Sequence, residues 1–461
     1  MSTSDLSLIA HLMRRAGFGA SRAELAALAT RDYDAVVDDL LHPERLPPID
    51  EDVLKRYFDG ESINVAAGAW LYRMINSQRP LEEKVTLFWH QVFATAFSKS
   101  NHVPSSVQQI ETFRQVGMTN VRTILLELSR DPAMIYWLDN NENHNGEPNE
   151  NYGRELLELF SMGVGNYSEQ DIKMAARAFT GWTFSQPIPL YPFGHHPAHF
   201  VYHPEDHDDS VKTFLGHTGR LNGEDILDII VKQPAAARFI ARHLYNFFVA
   251  DEPQVPSWHD LPPRDPAAID TLVRAYDDSN GDMRAMLRVL FTSDFFKAAR
   301  FKRVKSPVEL VVGTIKLTGT HRFPQKSLLD LESATTLMGQ TLMNPPTVEG
   351  WHTGREWIDG GTLNERVNFA VNELADPTKP GILEIVRRLG EADRARSPED
   401  LVDRALDLMG ALAVSDETRA ALVAAAASGG APRPDADAPP DPTRVTRLLQ
   451  LIAASPEYQF A

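Results

Sequence analysis

The sequence predicts an all-α fold, a predominantly helical multi-helix globular array with a small β-hairpin near 198–216 and long Pro/Gly/Trp loops. Three observations carry that expectation: recurring helix-start signals, apolar runs at the 3.6-residue period between them, and a hydrophobic content of 43% in 461 residues, enough for a sizeable core. Ser21 with Glu24 has the spacing of a capping box, in which a hydroxyl and a carboxylate each satisfy a first-turn backbone N–H. The run LEEKVTLFWHQVFATAF (81–97) follows. Asp131-Pro132 and Asp265-Pro266 pair a cap with a proline, whose fixed φ and missing N–H suit the first turn. PAMIYWL (132–138), QDIKMAARAF (170–179, after Ser168 with Asp171) and AAARFIARHLYNFFV (235–249) continue the periodic pattern, and Ser306-Pro307-Val308-Glu309 and Ser397-Pro398 with Asp400 open later helices.

One region resists helix. TFSQPIPLYPFGHHPAHFVYHPEDHDDSVKTFLGHTG (183–219) carries Pro187, Pro189, Pro192, Pro197 and Pro204, too closely spaced for helical hydrogen bonding, and its second half alternates and turns like a β-hairpin. Residues 1–375 are expected to form the main helical domain and 376–461 a C-terminal helical subdomain docked on it, with a Pro/Gly/Asp/Ala linker at about 428–443. MLRVLFTSDFF (286–296) and LLQLIAASPEY (448–458) share one helix-end pattern.

The formal net charge of −17 excludes duplex DNA and anionic membranes as partners, since both call for a basic surface. No stretch has the apolar length of a membrane span. The absence of cysteine removes disulfides, thiolate nucleophiles and Cys-ligated metals. Arg14-Arg15 are not followed by an apolar export region, so a cytoplasmic location is expected. No P-loop, G-x-G-x-x-G, H-E-x-x-H or G-x-S-x-G stands in usable context, which argues against nucleotide or flavin cofactors and serine-hydrolase chemistry.

DPAMIYWLDNN…PNENYGRELLELFSMGVGNYSEQDIKMAARAFTGWTF (131–184) resembles the bacterial family known as domain of unknown function 1800. HLMRRAGFG (11–19), LFWHQVF (87–93), HDDSVKTFLG (207–216), KSPVELVVG (305–313), MGQTLMNPPTVEGW (338–351) and the terminal SPEYQ extend the resemblance in order along nearly the whole chain. It implies a helical bacterial protein of no settled activity, whose relatives are often exported to the periplasm or beyond. The family pattern at the aromatic helix has a second histidine where this chain has Val92.

Candidate chemistry concentrates in four places. Asp139, Asn141, Asn143, Glu147 and Glu150 fall at EF-hand ligand positions in DNNENHNGEPNE, but His144 replaces the turn glycine; a hydrogen-bonded Asx loop is the simpler expectation. The following helix, ENYGRELLELFS, aligns Glu150, Arg154 and Glu158 at i, i+4, i+8 with Glu155 and Asn151 at the boundary. That is either a solvated ion-pair row or the wall of a cleft. In the second case Glu150 or Glu155 is the general acid or base, and Arg154 orients the carboxylates and lowers their pKa. His90, on the aromatic helix, is a candidate partner; Asn149 and Asn151 sit at the cleft mouth. Histidines at 195, 196, 199, 203 and 207, with Asp208 and Asp209, form a compositional signal for a divalent metal, calcium or zinc, for which His207, Asp208 and Asp139 are the candidate ligands. Arg14 and Arg15 beside GFG suit an anion, and Trp182 and Trp351 suit a ring-shaped ligand if exposed.

The function expected from these residues is a carboxylate-based or metal-assisted hydrolase acting on a small-molecule or glycan ligand in a cleft built by 139–158, His90 and the 203–209 hairpin. Two alternatives stand beside it: a non-catalytic binding or assembly protein presenting an acidic, Trp-bearing surface to a protein ligand, and a calcium-stabilised scaffold.

Overall fold

A computed structural model describes residues 3–57, 62–185, 197–391, 397–428 and 442–461. Helices dominate it, and two two-stranded antiparallel ladders are the only sheets among the described residues. The start signals sit where the local chemistry requires. Ser21, Ser168 and Ser306 each close a complete capping box, with Glu24, Asp171 and Glu309 at the third helical position. Asp131 and Asp265 cap prolines at the first turn. The two copies of the helix-end pattern both finish on a serine in extended conformation, Ser293 and Ser455, followed by a short turn of helix.

One continuous apolar core runs from Leu6 to Tyr458. Helix Pro307–Thr318 lies at its centre and packs on Ile63–Asn76, Leu328–Leu337, Gly360–Glu373 and Pro380–Glu391. Helix Pro80–Val92 packs on Val103–Val116, and Pro234–Phe248 on Pro266–Ser279. Pro442–Ala453 closes against Gly360–Glu373 and the helices from 380 to 428. Of the expected linker, residues 429–441 lie outside the described residues, as do Pro187, Pro189, Pro192, His195 and His196.

The small hairpin forms between Lys212–Phe214 and His217–Gly219. Its two turn residues, Leu215 and Gly216, both have positive φ (47° and 80°), the geometry that matches the right-handed twist of the flanking strands. Phe200–Tyr202, expected to belong to the same hairpin, pairs instead with Trp182–Phe184. The reason is local: His207 and Asp208 bond to Thr180, turning the chain away before 212.

Candidate functional site

Helix Asn151–Glu155 continues directly into a π-helix, Leu156–Ser161. Wider i→i+5 turns are rare and recur at functional sites because they rotate side chains off the regular helical stripe. Met162 and Gly163 both donate to the Leu157 carbonyl, and the Ser161 hydroxyl donates to Leu156 O at 2.5 Å. These extra bonds hold the irregular turn closed. Its apolar side packs on helix 234–248, and its other side carries Glu155 and Glu158.

The carboxylates along this helix have separate fates. Glu150 and Arg154 pair at 3.3 Å near the surface, and Arg154 grips Glu169 of the next helix with two bonds of 2.9 and 3.0 Å. This is the solvated ion-pair row, worth a few tenths of a kcal/mol per contact. Glu158 accepts from the Tyr167 hydroxyl at 3.1 Å. Glu155 is partly buried, and burial, with the like charges of Glu158 and Glu349, raises its pKa to about 7 against the opposing field of Arg154. Arg154 thus pulls down both Glu169 and Glu155, but at Glu155 burial and the like charges outweigh it and the net shift is upward.

Glu349, which sequence reasoning did not single out, belongs to the Pro/Gly/Trp loop that faces this helix. With Gln91, His243, Asn246, Trp351 and His352 it lines a notch of about 20 Å³, room for one water. Gly350 seats the loop: its φ is +84°, and a Cβ there would meet Gln91 O at 2.6 Å. His352 pairs with Glu356 at 2.5 Å, and His243 is wedged between Phe239 and Trp258 with its Nε2 buried and unpartnered.

His90 lies behind this notch rather than in it. It is 1% exposed, its ring packs edge-on against Trp70 and Trp351, and its Nε2 accepts the Met343 N–H at 3.0 Å. Burial lowers its pKa to about 3, so it is neutral and holds the loop that carries Glu349. Trp351 and Trp182 are 5% and 3% exposed; both are core, and neither offers a stacking face. Trp182 Nε1 donates to Asn222 at 2.9 Å.

The Asn-rich loop is held by its own amides. Asn140 donates to the Phe179 and Trp182 carbonyls, and Asn143 to Ala176 O and to Asn140. Asn143 Oδ1 accepts Asn149 N–H, and Asn149 Oδ1 accepts Asn151 N–H at 3.0 Å, an Asx turn that leads into the helix. Asp139 pairs with Lys99 at 2.5 Å. Asp139 and Asn143 are thus turned to protein donors, and among the described residues no EF-hand set of three or more acidic ligands is assembled here. Asn143→Ala is expected to lower unfolding free energy by about 2 kcal/mol in urea titration, because three buried bonds go at once.

The metal candidates do not converge. His207 Nδ1 faces Thr180 O at 3.0 Å. Against its burial, Arg177 and Ser210 hold the Asp208 carboxyl well below its usual range. Asp139 is tied to Lys99, and among the described residues no group of three or more His, Asp or Glu side chains is placed to hold a metal ion. His144 and Asn145 do meet Asp206, so the Asn loop and the 203–209 segment adjoin. Arg15 is fully buried in an ion pair with Glu309 at 3.0 Å, while Arg14 lines a separate cavity.

A family model described as "Protein of unknown function (DUF1800)" matches residues 11–460. No curated protein and no solved structure matches the chain. No helix among the described residues is long and apolar enough to cross a membrane.

Proposed function

We propose, from the premise that the chain belongs to the DUF1800 family, that it is a hydrolase working by carboxylate acid–base chemistry where the π-helix faces the 344–353 loop. The observation that carries this reading is the partly buried Glu155, raised by its burial and by the charges of Glu158 and Glu349, the last of which lines a notch sized for one water. Glu155 is the proton donor. Glu349 accepts a proton from water as the water oxygen bonds to the electrophilic centre, and Glu155 protonates the leaving group as its bond breaks. Burial first, and then the charges of Glu158 and Glu349, raise the Glu155 carboxyl so that it holds a proton it can donate near neutral pH. His90 is a positioning residue in this scheme, and Arg154 fixes Glu150 and Glu169 while its field tempers Glu155.

The test is a carbon-detected NMR titration of the glutamate carboxyls. Glu155 is expected to titrate near pH 7 and to move down when Glu349→Gln removes a like charge. A Glu155 midpoint in the ordinary carboxylate range, or one indifferent to Glu349→Gln, removes the proposed acid.

A further inference from the structure

We propose that the cavity between the end of helix 3–15, helix 307–318 and the Met409-Gly410 turn binds a small oxyanion, a carboxylate or a phosphate-like group. The argument begins with charge. Arg14, Arg15, Lys84, Arg303, Lys305 and Arg366 are gathered in one region of the interior, where Glu309 and Asp251 are the acids that act on them. Glu309 is saturated by Arg15, Lys84, Arg303 and the Ser306 N–H. Asp251 takes the Val304 N–H at 3.0 Å. Arg366 donates to Gln459 at 2.9 Å and to Lys305 O at 2.8 Å.

Arg366 is thus bonded to neutral groups, and Arg14 and Lys305 are likewise left without a carboxylate of their own. Arg14 donates through Nη1 to Gly410 O at 2.7 Å and lies 4.6 Å from the Phe301 ring centre; its Nε and Nη2 have essentially no accessible surface and no partner. Lys305 Nζ donates to Tyr458 O at 2.7 Å, which leaves two of its three protons. Both residues line the same cavity of about 60 Å³, enough for several waters or an anion of a few heavy atoms. Lys316 and Ala461 also border it, and Glu309 is the only acidic side chain among the described residues that line it. In a chain with a net charge of −17, Arg14, Lys305 and Lys316 line one cavity whose acidic side chain, Glu309, is already committed to Arg15, Lys84 and Arg303. The unpartnered Arg14 N–H groups mark a place prepared for an external anion, which a guanidinium fork binds through paired donors.

The site lies apart from Glu155 and from the notch lined by Glu349, so its test is independent. Thermal unfolding of the full chain would be followed in sulfate, acetate and chloride at equal ionic strength. A saturable rise in Tm with sulfate or acetate, absent with chloride, is expected; preference for sulfate marks a phosphate-like ligand and preference for acetate a carboxylate. Arg14→Gln is expected to weaken binding by about tenfold or more. Should that variant fail to fold, pH serves instead. Lys305 is faced by Arg14, Arg366, Arg15, Glu309 and Tyr458; burial, with Arg14 and Arg366, lowers its pKa to about 7. Sulfate keeps its charge over this range, so its affinity should drop several-fold from about pH 6 to about pH 8.5, and Lys305→Gln should flatten that profile. No saturable effect beyond chloride, or binding undiminished by Arg14→Gln and insensitive to pH, overturns the proposal.

Discussion

Glu309→Gln is expected to lower the unfolding free energy by about 3–5 kcal/mol, the cost of leaving buried charges uncompensated. Glu309 serves twice. Locally it completes the capping box of helix 307–318, its Oε2 taking the Ser306 N–H at 2.8 Å. Globally its two oxygens gather Arg15 from the first helix, Lys84 from the aromatic helix and Arg303 from the preceding loop, at 3.0 Å for Arg15 and 2.7 Å for Arg303. Burial alone would raise its pKa, but those cations hold it well below the ordinary value. Its stabilising charge is therefore present above the unfolded carboxylate range and lost as pH falls through the folded value. Glutamine keeps much of the shape and removes the charge, so three cations remain in the core. Urea unfolding, with an unchanged m-value, is the measurement; a loss below about 1 kcal/mol would show the cations are compensated elsewhere. Replacing Lys84 together with Glu309 by apolar residues should recover part of the loss, since the pair then leaves the core as a unit.

Lys84 gives the same cluster a pH signature. It shares one carboxylate with two arginines, and burial brings its pKa down to about 7 while Glu309 pulls the other way. The unfolded chain thus binds more protons than the native one from about pH 7 to 10.5, the ordinary lysine value, and this group makes stability rise across that window.

What was legible in the sequence was what neighbours in the chain decide. Ser306 with Glu309 announces a helix start because both partners of the capping box lie within one turn, and Ser21 and Ser168 do the same. The Asx turn at Asn149 was legible for the same reason. The second role of Glu309 was not, because Arg15 and Lys84 are 294 and 225 positions away. The pairing of Phe200–Tyr202 with Trp182–Phe184 depended on a docking of His207 that no alternation of residues encodes. Trp351 and His90 illustrate the remaining limit. A tryptophan in a Pro/Gly loop can be a ligand face or core, and only the fold decides: the loop turns back on the aromatic helix, where the two rings exclude water from one another. Of the carboxylate helix, the residues were legible but not their separation: Glu150, Glu155 and Glu158 are near neighbours in the chain, yet burial, with the charges of Glu158 and the distant Glu349, sets Glu155 apart.

Glu155→Gln should abolish turnover while leaving the fold intact, and in alkaline solution should strengthen it. A glutamine cannot donate the proton that the leaving group needs, and loss of a general acid typically lowers rates by about 10²–10⁴-fold. Chromogenic glycosides, esters and phosphates offered to the intact protein supply the readout, each releasing nitrophenol on hydrolysis. The stability consequence follows from the same carboxyl. Its folded pKa of about 7 stands above the ordinary glutamate value of 4.5, so the native state holds a proton the unfolded chain has released between those values. The wild type thus loses stability as pH rises through that interval, and above it carries the ionised carboxyl against Glu158 and Glu349. Glutamine carries no charge at any pH, so the variant should match the wild type near pH 4 and exceed it at pH 8 in paired thermal melts. Loss of activity with gained alkaline stability identifies a strained functional carboxyl. Unchanged turnover would remove Glu155 from the chemistry, and lost activity with lost stability would make it an ordinary structural residue.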